Sequence, residues 1–112
     1  MKIAIPTAAD RLCPHFGHCE KFVIVEVNEH ERKITGKTEA VPPPHEPGVL
    51  PKWLSEQNVQ VIIAGGMGMR AQQLFQGHGI EVVVGAPADH PQTVVLNWLN
   101  GTLVAGSNMC DH

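Results

Sequence analysis

Cys13-Pro14-His15-Phe16-Gly17-His18-Cys19 places two thiols and two imidazoles within seven consecutive residues. Thiolate and imidazole are the side chains that soft and borderline metals select, so this loop reads as a site for a metal or a metal–sulfur cofactor. The two cysteines are spaced more widely than the C-x2-4-C of a zinc knuckle, and the chain holds three cysteines in all. A fully closed cage would therefore need the distant tail, where Met109-Cys110-Asp111-His112 again sets a histidine two residues from a cysteine. A disulfide between Cys13 and Cys19 would close a small ring and contribute modestly, and free thiols are the stronger expectation in a reducing compartment. His45 is a further imidazole in a proline-rich loop, whereas His30, His78 and His90 have no clustered partner and read as surface residues.

A second stretch, Gly65-Gly66-Met67-Gly68-Met69-Arg70, suits an anion. Its glycines allow close approach of the backbone, the helix that follows offers free N–H groups at its start, and Arg70 adds a cation in the first turn. Met67 and Met69 are either core packing or an apolar thioether wall. With Ala71 the stretch formally fits the dinucleotide pattern GxGxxG/A, and Asp89 lies near the expected acidic position. A single βαβ unit after a meander argues against that use, and no P-loop sequence is present.

The elements that must position these groups follow from periodicity and punctuation. Residues 2–6 read as a strand ended by Pro6, 7–20 as loop, and 22–27 and 33–40 as a hairpin around the polar turn 28–32. Val41 to Gly48 is too proline-rich for a helix or an inner strand. Helices are expected over 49–58, 69–76 and 91–100, alternating with strands at 59–64 and 80–84. Residues 103–112 form an exposed tail to what is expected to be one domain spanning 1–112.

The order β-β-β-α-β-α-β-α predicts an α/β fold with a mixed five-stranded sheet in the order 3-2-1-4-5. Strand 2 is antiparallel, right-handed crossovers serve the later strands, and about three helices cover the faces. That is the three-layer layout of the ribonuclease-H-like folds. Strands 1, 3, 4 and 5 would then end at one edge, bringing together the Cys/His loop, the proline loop with His45, and the glycine turn. About 10 residues of extended tail reach at most ~33 Å, enough for Cys110 and His112 to return to that edge.

Bulk properties exclude several classes. A formal net charge of −3 with eight scattered Lys and Arg lacks the footprint of a nucleic-acid binder. No apolar run approaches the ~20 residues of a membrane span, and the opening Met-Lys-Ile-Ala-Ile-Pro lacks a signal-peptide h-region, so a cytoplasmic protein is expected. Nuclease chemistry would need several carboxylates converging on the sheet, and strand 1 has none.

Met1-Lys2-Ile3-Ala4-Ile5-Pro6, His15-Phe16-Gly17-His18-Cys19 before Phe22-Val23-Ile24, Val61 to Gly68, and Gly79 to Gly85 together resemble one family over nearly the whole chain. It is that of the dinitrogenase iron–molybdenum cofactor biosynthesis proteins, which includes NifX, NafY, the C-terminal domain of NifB and the molybdenum–copper orange protein. The resemblance implies a ribonuclease-H-like fold and a non-enzymatic role: holding or passing on an iron–molybdenum cofactor, its precursor or another hetero-metal sulfide cluster, with an assembly or acceptor protein as partner. His15, His18 and Cys19 are the positions the resemblance carries over. The chain lacks a radical-enzyme Cys-x3-Cys-x2-Cys segment, so it resembles the stand-alone members. Two other functions compete: a zinc- or copper-binding structural or regulatory module, and, more weakly, a nucleotide-binding regulatory domain.

Overall fold

The computed structural model describes residues 1–13, 19–43 and 48–103. Six strands and three helices follow in the order β1 (Lys2–Ala8), β2 (Arg11–Leu12), β3 (Lys21–Asn28), β4 (Lys33–Ala40), α1 (Val49–Glu56), β5 (Val59–Ile63), α2 (Met69–Gly77), β6 (Glu81–Val83) and α3 (Pro91–Leu99). The main path of the sheet runs β4-β3-β1-β5-β6, and β2 pairs with β1 off that path. Leaving β2 aside, this is the expected order 3-2-1-4-5. β3 lies antiparallel to both β1 and β4, while β5 is parallel to β1 and β6 to β5. The C-terminal ends of β1, β4, β5 and β6 therefore share one edge, here termed the rim, with the start of β3.

Alternation along the strands divides the core into two layers. Ile3, Ile5, Val23, Val25, Val61 and Ile63 face α3 through Val94 and Val95, with Trp98 and Leu99 packed alongside. Ala4, Phe22, Ile24 and Ile62 face the other way, onto Leu50 and Leu54 of α1 and Phe75 of α2. The crossovers β4–α1–β5 and β5–α2–β6 progress in the same direction across the sheet, so one hand of connection sets both helices on the same face.

Two expectations are corrected. Pro6 does not end the first strand: β1 continues through Thr7 and Ala8. Proline is disfavoured in an inner strand because it cannot donate to the ladder. Here β1 pairs with β5 over Lys2–Ala4 and with β2 over Thr7–Ala8, so Pro6 falls where the partner on that side changes. Nor is 7–20 all loop, since Ala9 and Asp10 turn the chain back into β2 with positive φ angles of 53° and 63°. Lesser shifts occur at element ends: α1 stops at Glu56, with Gln57 as its C-cap and Asn58 at φ 64°, and the last strand is three residues long. Among the described residues, no helix is long and apolar enough to cross a membrane.

Candidate functional site

All three helices follow strands that end at the rim, so all three start there. Their N-caps are Gly48, Gly68 and His90; none makes a side-chain capping hydrogen bond, and none of the helices has an acidic residue in its first turn. Helix starts usually carry Ser, Thr, Asp or Asn to satisfy unpaired N–H groups and offset the positive end of the dipole. The start of α3 is partly answered by Asp89, whose carboxylate accepts the N–H of His90 at 2.8 Å. The start of α2 has no such carboxylate among the described contacts. Gly68 there has φ −64° and ψ 154°, a conformation open to any residue, and a Cβ at this position would meet nothing within 4 Å. Neither backbone strain nor packing by the described residues requires glycine at this position.

Cys19 stands on the same face as α2, with Cys13 near enough to influence it. Cys13 is buried at 4% exposure, and its N–H donates to the carbonyl of Pro6 at 2.9 Å. It follows Leu12, which packs in the α3 layer. Cys19 is half-buried and packs against the α1/α2 layer that includes Met67. Cys19 is a free thiol. Burial pushes the Cys19 thiol up from the ordinary 9.0 to about 11; Cys13 adds to the rise and a backbone hydrogen bond opposes it. At neutral pH Cys19 is thus a desolvated, protonated thiol that must give up its proton to bind a metal.

The glycine turn is braced from within. The N–H of Gly85 donates to the carbonyl of Gly65 at 2.7 Å, and Nε2 of Gln72 donates to the carbonyl of Met67 at 2.9 Å. Gly65 and Gly66 are buried. The methionines separate: Met67 is fully buried in the core, whereas Met69 is 55% exposed at the first position of α2. Arg70 is exposed beside it.

Cys13, Cys19 and Gly65 to Arg70 therefore share the rim, as topology predicts. His15, His18, His45, Cys110 and His112 lie outside the described residues. Among the described residues, no group of three or more His, Cys, Asp or Glu side chains is placed to hold a metal ion.

One wall escaped the sequence reading. The N–H of Leu12 donates to the carbonyl of Asp89 at 2.9 Å, tying the foot of the cysteine segment to the β6–α3 loop. The only local hint was Pro87 and Pro91 flanking Asp89-His90. Two wide cavities among the described residues lie elsewhere. One of about 680 Å³ is lined by Met1, Glu26, Asn28, Glu29, His30 and Thr35, and one of about 370 Å³ by Lys2, Glu26 and residues 58–60. Both sit at the opposite edge, away from every thiol described.

Comparison with known proteins agrees with this architecture. The crystal structure of PH0822 superposes with a TM-score of 0.83 at 26% identity, covering 95% of this chain and 96% of that one. The apo form of the orange protein from Desulfovibrio gigas superposes with a TM-score of 0.74 at 20% identity, covering 96% and 93%. An uncharacterised protein of Methanocaldococcus jannaschii is 38% identical over 85 residues, 73% of this chain and 72% of that protein. Residues 1–101 match the family described as dinitrogenase iron-molybdenum cofactor, and the chain belongs to that family.

Proposed function

We propose that this protein is a non-catalytic carrier that holds an anionic metal–sulfide cluster at the rim and passes it to an assembly or acceptor protein. The cargo is of the iron–molybdenum or molybdenum–copper class, and the protein acts in the cytoplasm, where its thiols stay reduced. The observation that carries this proposal is the start of α2 without a side-chain cap, which shares its edge with Cys13 and Cys19 and its face with Cys19. Thiols supply soft ligands to the metals, and unpaired N–H groups at a helix start suit the negative charge of bound sulfide.

The residues have distinct parts in this scheme. Cys13 and Cys19 ligate, with His15 and His18 from the segment between them. His45, Cys110 and His112 are further donors taken from the sequence. The turn from Gly65 to Gly68 brings backbone close to the cluster, Met69 offers an exposed thioether, and Arg70 adds a positive charge. Met67 supports the turn from the core.

Anaerobic reconstitution with iron, molybdate and sulfide tests the site. The parent chain is expected to develop visible charge-transfer absorption, and a variant with His15, His18 and Cys19 all changed to alanine is expected to lose it. Unchanged uptake by the triple variant would remove this loop from the site.

A further inference from the structure

Both ends of the Cys13–Cys19 segment are fastened to β1. The N–H of Cys13 donates to the carbonyl of Pro6 at 2.9 Å, and the N–H of Glu20 donates to the carbonyl of Thr7 at 2.8 Å. Consecutive carbonyls of a strand point to opposite sides in the plane of the sheet. The segment therefore leaves on the β2 flank of β1 and returns on the β3 flank.

The Cys13 foot is carried by the β1–β2 hairpin, whose turn residues Ala9 and Asp10 both have positive φ. Alanine is a poor occupant of that conformation, which clashes at Cβ, so the turn needs support from outside. The N–H of Ala9 donates to Oε1 of Glu20 at 2.9 Å. Lys21 reaches Asp10 only at 4.0 Å and makes its shorter contact, 2.9 Å, with Glu39. Glu20 thus joins the two feet: its backbone forms the β3 foot beside Cys19, and its carboxylate grips the hairpin that carries Cys13.

We propose that Glu20 is a positioning residue that fixes the relative placement of the Cys13 and Cys19 sulfurs through the hydrogen bond it accepts from Ala9. The proposal rests on the carrier function argued above. It adds that the ligand pair is set by a clamp outside the metal's own ligands, since the engaged carboxylate oxygen is directed at the backbone. Removing groups that orient metal ligands commonly costs roughly 10–100-fold in metal affinity.

Cobalt(II) titration of the full, reduced chain under argon provides the test, read by the thiolate-to-cobalt charge-transfer band and by hydrogen exchange at the Ala9 amide. Glu20→Ala should weaken cobalt binding roughly tenfold and speed exchange at Ala9. Glu20→Gln keeps an oxygen for the Ala9 N–H and should restore both. Parental affinity in Glu20→Ala, or a Glu20→Gln variant as weak as Glu20→Ala, would overturn the proposal. A parent chain without a thiolate-to-cobalt band would instead refute the Cys13/Cys19 ligand pair. Exchange at Ala9 still judges the clamp in that case, because an unchanged rate in Glu20→Ala would show that it does not exist.

Discussion

The two edges of the sheet are built from the same strands yet differ in chemistry. At the rim lie two thiols, a buried glycine turn and three helix starts without side-chain caps. At the opposite edge helices end, and the wide cavities around Glu26 are lined by ordinary polar side chains such as Asn28, Glu29, His30 and Thr35. These cavities and the soft-ligand chemistry thus sit at opposite ends of the described molecule. For a cluster the chemistry is the better guide. A metal–sulfide unit is gripped by a few soft donors and N–H groups at an exposed rim from which it can leave, whereas a deep apolar pocket serves an organic ligand.

The largest effect expected at the rim concerns Met67. Its burial assigns it to packing, so Met67→Ala should cost roughly 2–4 kcal/mol in denaturant unfolding of the apo protein, as large-to-small core changes do. A loss below about 1 kcal/mol combined with abolished cluster uptake would make Met67 a ligand and redraw the rim.

A smaller effect is expected from pH. The Cys19 thiol is raised to about 11 in the folded chain from an ordinary 9.0. The folded state therefore holds this proton more tightly than the unfolded state. Stability from this group is complete below pH 9 and is lost as pH rises through about 11. Because Cys19 is only half-buried, the loss should be roughly 1–2 kcal/mol, discounted for solvent screening. Cys19→Ser should lack it in unfolding curves across that range, and a parent chain with a flat profile would show that burial does not perturb this thiol. Metal uptake moves the opposite way, strengthening as pH rises because the proton it must displace binds less.

The smallest expected effect is the one that best separates stability from function. Gly68→Asp fits the N-cap conformation, so it should stabilise apo protein by about 0.5 kcal/mol through capping and the dipole. The same carboxylate occupies the place of an anionic cargo and should reduce cluster uptake. Unfolding and reconstitution of one variant should thus shift in opposite directions. Gains in both would mean that the start of α2 does not face the cargo.

Much of this architecture was legible in the sequence because it rests on local signals. The β-branched run Phe22 to Val27, the helical spacing of Leu50, Trp53 and Leu54, and the glycines before Met69 specify their own elements and, with the handedness of crossovers, the strand order. The β1–β2 hairpin was hidden because Ala9-Asp10 is not one of the favoured Asn-Gly-type turn pairs, and because Pro6 looks like a strand end. Glu20 and Asp89 were overlooked as supports for a different reason. Their contacts with Ala9 and Leu12 span 11 and 77 positions, and no local pattern encodes a hydrogen bond made at that range. The cysteines declared themselves by type and spacing, whereas the separate fates of Met67 and Met69 became visible only with burial.

Metal and acid-labile sulfide analysis of the protein isolated anaerobically from its own host addresses the central claim most directly. The carrier function predicts inorganic sulfide together with iron, molybdenum or copper, lost from a variant lacking both Cys13 and Cys19. A single zinc ion per chain with no sulfide would contradict it and leave a simple metal-binding module in its place.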